Sequence, residues 1–481
     1  VTFIVNQPAL TATYHLVATG LISSSHGVRD AIVSNKQVFT DLDCKWLNPT
    51  PRSAIIEIIL LNTLLRLGSL MSKHSYIVDP VLEAEYKKAP IDWTPTLMLI
   101  LTPIAALILV PWFGLTYGFS VGAIVTMVLF IIWNGLGITA GYHRLWSHKT
   151  YEAHPVVRFF LLAGGTMAIQ NTVFEWCAGH RIHHQHVDHP YKDPYSAKRG
   201  FLFSHIGWMM RSYPTSRYDF KNIKDLKQDP MLVAQDKYYG FWILLTNIGL
   251  PAVVGLAIGD LWGTLILAGL LRLVISHHVT FFINSLAHTI GKQPYTDTNT
   301  ARDNWWLALI TWGEGYHNYH HYFQMDFRNG IKWWQYDPTK WLIAGLNKVG
   351  LTSNLKVVSN LQIKQAELSM RFKTAQQRIQ LFGYSIEDDM HDIKMNVQHE
   401  FEAFSETLER WKQLKEESIA MKKQALVQKK EDLQGSVKNT LHEIDLKLKS
   451  DFNQLETTLG DHSQRLEVIL RDFKRKVRAA A

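Results

Sequence analysis

Two pairs of long apolar stretches set the plan of this chain. Residues 97–117 pair with 121–140, and residues 240–258 with 262–286. Each stretch is close to the ~20 residues an α-helix needs to cross a bilayer. The first three are apolar all round and lack the polar stripe of a helix packed on a soluble core, so they predict membrane spans. The fourth carries Arg272, His277 and His278, and ionisable groups at membrane depth are seldom idle. The hairpin turns, 111–120 and 259–263, contain no Lys or Arg, whereas residues 141–239 contain thirteen. By the positive-inside rule that middle segment and both chain ends lie in the cytosol. The predicted fold is an all-α membrane protein with four transmembrane helices in two hairpins.

The pattern changes on either side of this region. Beyond residue 353 the chain is rich in Gln, Lys and Glu with spaced apolar positions. Phe401, Phe404, Leu408 and Trp411 follow a 3-4-3 spacing, and Leu441, Ile444, Leu448, Phe452, Leu455 and Leu459 nearly do. This predicts long amphipathic helices, as a coiled coil or a strip against the membrane domain, with breaks at Gly383 and Gly435. A self-association or partner-binding arm and a plain solvated tail both remain open. Residues 1–70 begin with Val1 and hold no Met, while Met71 opens an ordinary polar start. They read as a non-native upstream extension, the alternative being a genuine amphipathic one. The expected division is 1–70 extension, 71–352 membrane domain and 353–481 helical tail.

Composition narrows the partners. The net charge of +8 is spread along 481 residues, with a dense basic run only in the terminal RDFKRKVR. A bilayer surface suits this balance and a nucleic acid does not. Cys44 and Cys177 are the only cysteines, too few for a disulfide framework or an iron–sulfur cluster within the chain. Any reducing power must come from a separate protein. No signal-peptide pattern opens the chain.

Nine of the 22 histidines fall into four groups: His143 and His148 in HRLWSH, His180, His183 and His184 in HRIHH, His288 in NSLAH, and His317, His320 and His321 in HNYHH. Neutral imidazole is a transition-metal ligand, and nine exceed what one ion holds, so the sequence asks for two metals close together. In each HxxHH group the histidines share one helical face. His143 and His148, five apart, would diverge on an α-helix and are placed where a helix ends. Metal-bound imidazoles usually pass their other N–H to a carboxylate or carbonyl. Glu175, Asp188, Asp193 and Glu314 stand near the groups in sequence, and Glu314 with His317 also makes the E-x-x-H spacing of soluble di-iron bundles. With nine imidazoles available, Glu175 and Glu314 read as imidazole partners rather than ligands. His186, His189 and His205 read as structural, and the His277–His278 pair is the one to watch.

The segments HRLWSH, QNTVFEWCAGHRIHH, KRGFLFSHIGW, NSLAH and GEGYHNYHH together resemble the integral-membrane fatty acyl desaturases of the stearoyl-CoA Δ9 type, over about residues 91–351. The resemblance implies a cytosolic helical cap on the four spans and a di-iron centre at their junction. It implies that the nine histidines hold two iron ions, with Asn284 reaching one through water. It further implies that Thr280 and Phe281 line the bend of an acyl tunnel and that Asn171 and Trp176 hold the acyl carrier. The implied activity is O2-dependent insertion of a cis double bond into a saturated acyl chain, with acyl-CoA as the favoured substrate and an acyl lipid or acyl carrier protein as other carriers. The animal acyl-CoA enzymes usually have an Arg-Asp pair where this chain has Ala178 and Gly179, and an Arg-Lys pair where it has Arg211 and Ser212. No haem-binding HPGG segment is visible. A bacterial-type enzyme without fused cytochrome b5, in a bacterial inner membrane, is therefore expected. Its electrons would come from a ferredoxin-, rubredoxin- or cytochrome b5-like donor with its reductase. Lys192, Lys198, Arg199, Arg211 and Arg217 are candidates to dock an acidic donor.

Three other readings share parts of this pattern. A histidine-box hydroxylase or ketolase would use the same metal site. A membrane zinc or copper binder would use it without redox chemistry, and a membrane-anchored scaffold would make the C-terminal helices the main element.

Overall fold

The computed structural model describes residues 79–382, 387–431 and 436–479. The expected extension 1–70 and the breaks at Gly383 and Gly435 lie outside the described residues. Four helical segments are long and apolar enough to cross a membrane: Trp93–Thr116, Val121–Ser147, Tyr239–Ala257 and Leu261–Ser285. They match the four apolar stretches, with the first beginning earlier and the second running on to Ser147. Their apolar windows are only 17–33% buried, and Leu107 and Leu115 stand exposed, the inverse of a helix in a soluble core.

Helix α1 (Pro80–Lys88) precedes the first span, α2 (Trp93–Thr116). The second span is α3 (Val121–Leu136) continued by a π-helix over Gly137–Ser147. The middle segment contributes α4 (Pro155–Thr166), α5 (Val173–His186), the short α6 (Phe201–His205) and α7 (Pro230–Lys237). The third span joins α8 (Tyr239–Leu244) to α9 (Leu250–Ala257) through a π turn, and the fourth joins α10 (Leu261–Thr264) to α11 (Arg272–Ser285) in the same way. Short helices α12 (Trp305–Ile310), α13 (His317–Tyr322) and α14 (Pro338–Lys348) follow. A two-residue antiparallel pairing of β1 (Glu152–Ala153) with β2 (Thr352–Ser353) ties the end of this region to the segment after the second span.

The π-helix packs against α4 through glycine. A Cβ on Gly137 would overlap the backbone of Gly164 and Gly165, and one on Gly165 would overlap the Tyr142 ring. Asn134 Nδ2 donates to Gly164 O at 3.1 Å across the same crossing. In the fourth span Arg272 is fully buried, donating to Met167 O (2.6 Å), Asn247 Oδ1 (2.7 Å) and Ala268 O (2.9 Å). His277 Nε2 bonds to Ala168 O, and His278 pairs with His205, which also meets Ser285. All three ionisable groups of the fourth span are thus occupied in joining it to its neighbours.

Beyond β2 run α15 (Asn360–Phe382), α16 (Glu387–Glu431) and α17 (Ser436–Ala479). Their shared core contains Leu361, Leu368, Phe372, Val397, Phe404, Leu459 and Leu466, with Phe401, Leu408 and Trp411 packed against it. The 3-4-3 positions of α16 therefore face the other two helices. Leu455 is buried as well, while the side chains of Leu441, Ile444, Leu448 and Phe452 lie outside those described.

Candidate metal centre

Nine imidazoles converge from four elements and divide into two groups. His143, His148, His180, His184 and His320 form one; His183, His288, His317 and His321 form the other. Within each group the candidate ligand atoms all lie within 4.8 Å of one another. The two HxxHH helices are used in crossed fashion. On α5 the i and i+4 residues, His180 and His184, enter the five-histidine group and His183 the four. On α13 the i and i+4 residues, His317 and His321, enter the four-histidine group and His320 the five. One shared face per helix thus serves two neighbouring centres.

HRLWSH reaches the site by another route. Five residues along an α-helix at 3.6 per turn leave two side chains about 140° apart. Here the backbone is a π-helix, whose i→i+5 bonds stack residues five apart. His148 N bonds to His143 O at 3.1 Å, and the two rings lie 4.9 Å apart. The helix does end at His148, as expected, but the widened turn is what brings the pair together.

The Nε2 atoms point at one another. Separations are 3.0 Å for His143–His320, 2.9 Å for His148–His180, 3.0 Å for His184–His320, 3.0 Å for His288–His317, 3.1 Å for His317–His321 and 3.3 Å for His183–His321. Such a ring of nitrogens cannot be satisfied by mutual hydrogen bonds, because neutral imidazoles whose Nδ1 carries the proton offer only lone pairs at Nε2. A shared cation resolves it: nitrogens ~2.1 Å from one ion at right angles stand ~3 Å apart. Burial, reinforced by neighbouring imidazoles, holds His148, His180, His184, His317, His320 and His321 well below the ordinary histidine pKa. His288 is lowered to about 4, by burial first and then by His183. These seven are therefore neutral at pH 7, as ligation requires.

Four of the nine Nδ1 atoms face separate partners. Glu314 Oε2 lies 3.0 Å from His143 Nδ1, and Asp193 Oδ1 lies 2.8 Å from His183 Nδ1. Tyr195 Oη is 3.3 Å from His180 Nδ1, and Thr300 Oγ1 is 2.9 Å from His288 Nδ1. Thr300 in turn donates to Asp188 through its hydroxyl (2.5 Å) and its N–H (2.6 Å). Glu314 and Asp193 thus each face an imidazole, and Asp188 reaches one through Thr300. Glu175 does not. Among the described residues it meets no histidine, because it lies five positions before His180 on a regular α-helix and so faces away. Burial and Asp236 raise its pKa instead. Glu314 is also clasped by the buried Arg144, with Nη2 at 3.0 Å and Nε at 3.3 Å. Burial raises the Glu314 carboxyl, but His143 and Arg144 outweigh it and hold it below its usual value.

Beside the metal groups lies the expected substrate region. Trp176 stacks on His180 with ring centroids 4.9 Å apart. Its Nε1 donates to Gln170 Oε1 (3.3 Å), and Gln170 Nε2 donates to Thr280 Oγ1 (3.0 Å). Sequence reading gave no role to Gln170, although it opens QNTVFEWCAGHRIHH, or to Tyr195 and Thr300, which stand outside the quoted segments. Thr280 and Ile283 line a small cavity of about 40 Å³ between α3, α11 and Trp312. The Thr139, Thr280 and Thr311 hydroxyls there each donate to the carbonyl four residues back, so the walls offer little free polarity. Phe281 is outside this lining, buried between His277 and His205, which fits core packing rather than a tunnel wall. Asn171 is exposed with a left-handed backbone, φ 71°. Asn284 is half-buried four residues before His288. Ala178 and Gly179 are fully buried, and a Cβ on Gly179 would overlap the Tyr218 hydroxyl.

Known proteins with related sequences match the region that holds the site. The family model described as fatty acid desaturase matches residues 119–352. "Acyl-CoA desaturase 1" of Saccharomyces cerevisiae is 44% identical over 241 residues, 50% of this chain and 47% of that protein. "Probable acyl-CoA desaturase" of Schizosaccharomyces pombe is 41% identical over 247 residues, 51% of each chain. "sn-1 stearoyl-lipid 9-desaturase" of Anabaena variabilis is 33% identical over 276 residues, 57% of this chain and 97% of that protein. The chain thus spans about half the length of the two yeast proteins and nearly all of the cyanobacterial one.

Proposed function

The chain belongs to the fatty acid desaturase family, and on that premise we propose that it is an O2-dependent acyl desaturase that introduces a cis double bond, at Δ9, into a saturated acyl chain. The observation that carries this reading is the crossed division of nine imidazoles into groups of five and four beside an apolar cavity. Two iron ions would be held by these groups, with Asn284 completing the four-histidine group through a water molecule. The chemistry that a bound iron pair supplies is oxidation: O2, two electrons and two protons take up two hydrogens from adjacent methylenes and leave as two waters.

The chain's own residues select and orient. An unactivated methylene offers no polar handle, so the reacting carbons must be placed by the shape of an apolar passage. The Trp176–Gln170–Thr280 chain of hydrogen bonds fixes one wall of that passage directly against His180. Glu314, Asp193, Tyr195 and Thr300 set the direction of four imidazoles from behind. Acyl-CoA is the favoured substrate because the two yeast relatives carry that substrate in their names, while the cyanobacterial relative is named for a lipid-linked chain. Ala178 and Gly179 leave no room for charged side chains beneath Tyr218, so a phosphorylated carrier would be met at other positions, Asn171 and Trp176 among them.

The positive-inside rule supports a cytosolic position for the histidine groups, where a soluble or membrane-bound donor would deliver electrons. Arg199 is committed internally, to Glu83 and the Tyr86 ring, and Arg211, though exposed, spends one Nη on Ala89 O. Donor docking then falls to Lys192, Lys198 and Arg217. Expression in a desaturation-deficient host, with fatty acids analysed for double-bond position, tests the function. New Δ9 monounsaturated acids that vanish on His317→Ala are expected. An unchanged fatty acid profile, or hydroxylated products, would overturn it.

A further inference from the structure

We propose that the first C-terminal helix, α15, is the outer wall of the four-histidine group and positions three of its imidazoles. This rests on the metal reading above and extends it to a part of the chain beyond the family match at 119–352. Helix α13, which carries His317, His320 and His321, has only six residues, too short to hold its shape unaided. It is clamped from two sides. On the first, Asp303 Oδ1 accepts the N–H groups of Asn318 (2.8 Å) and Tyr319 (3.1 Å). Asn318 pins the preceding loop, accepting from Tyr295 N (2.9 Å) and donating to Thr296 O (2.7 Å) and Ala301 O (2.9 Å). That loop contains Thr300, the partner of His288.

On the second side stands α15. Tyr319 and Tyr295, from α13 and the loop, are buried in one cluster with Ile363 and Ala366 of α15. The two tyrosine rings meet edge to face at 5.2 Å. Farther along, Lys373 Nζ donates to Asp297 Oδ1 at 2.8 Å, gripping the same loop from outside. The support is lopsided. His288, His317 and His321 of the four-histidine group hang on these two segments, whereas the five-histidine group has only His320 there. His143, His148, His180 and His184 sit on the π-helix and α5. Loosening α15 should therefore free one metal and spare the other.

The test uses the full-length chain in detergent, loaded with ferrous iron and challenged with a ferrous chelator. In the wild type two irons per chain are released slowly. In the Ile363→Asp, Ala366→Asp double variant one iron is expected to leave at least tenfold faster and the other at the wild-type rate, with faster amide exchange in peptides covering 292–303 and 317–322. The milder Lys373→Glu variant should speed the same iron about two- to fivefold, in keeping with the small worth of an exposed ion pair, and adding Asp297→Lys should restore it. Two unchanged release rates, or two raised equally, would overturn the proposal. A wild-type chain that binds fewer than two ions would instead overturn the metal reading, and this inference with it.

Discussion

Replacing Glu314 by glutamine removes one charge from the wall of the five-histidine group and reverses the polarity of one oxygen position. In the native arrangement Oε1 receives two N–H groups of Arg144, while Oε2 receives Asn329 Nδ2 at 2.6 Å and faces His143 Nδ1 at 3.0 Å. A glutamine carbonyl in the Oε1 place can still accept from Arg144. Its NH2 then faces His143 Nδ1 without an acceptor to offer it, whereas Asn329 can turn its otherwise unbonded Oδ1 to receive that NH2. Arg144, fully buried, keeps Asp337 at 3.1 Å as its remaining anionic partner. Breaking a buried charge pair costs about 3–5 kcal/mol, and the surviving Asp337 contact puts the expected loss near 3. Loss of the carboxylate behind a ligand imidazole typically costs ~10–100-fold in metal affinity. Chemical denaturation of the detergent-solubilised protein should show the destabilisation, and iron competition with a chelator should show one weakened ion of two. A variant within about 1 kcal/mol of wild type that holds both ions equally well would refute the idea that Glu314 orients His143 and neutralises Arg144.

Other expectations follow from single contacts. Asp225 is held at about 2 because its ion pairs with Arg181 and Lys149 outweigh the burial that would raise it. With the folded pKa below the unfolded one, its stabilisation is present above pH ~4 and lost as pH falls toward ~2. That lowering is worth ~2 kcal/mol, less after solvent screening, since its side chain is 30% exposed. Asp225→Asn should abolish that acid-limb loss in pH-dependent unfolding, and an unchanged acid limb would count against it. Gly137→Ala should cost at least about 1–3 kcal/mol, because the clash is with the Gly164–Gly165 backbone, which cannot step aside; wild-type thermal stability would contradict this. Gln170→Leu, which cuts both hydrogen bonds between Trp176 and Thr280, should leave iron content intact while lowering turnover and spreading the double-bond position. A sharp Δ9 product would argue that this wall does not place the chain.

Local signals carried much of the plan. Apolar runs of membrane length marked the spans, and the HxxHH groups needed only α-helical periodicity to be read as shared faces. The HRLWSH pair was harder, because a spacing of five makes sense only on a π-helix, and nothing in GITAGYHRLWS announces one. Imidazole partners depend on tertiary contacts rather than sequence distance. Glu175 stands nearer to His180 in sequence than Tyr195 does, yet helical phase turns it away, and Thr300 reaches His288 from a loop twelve residues on. The docking of α15 was equally hidden, since Ile363 and Ala366 look like any apolar positions of an amphipathic helix.

Under the proposed function two irons sit apart in the two histidine groups. Crystals of the protein measured on both sides of the iron absorption edge test it most directly. Two anomalous peaks are expected, one enclosed by His143, His148, His180, His184 and His320 and one by His183, His288, His317 and His321. A single peak shared by both groups, or scattering that appears only at the zinc edge, would contradict it.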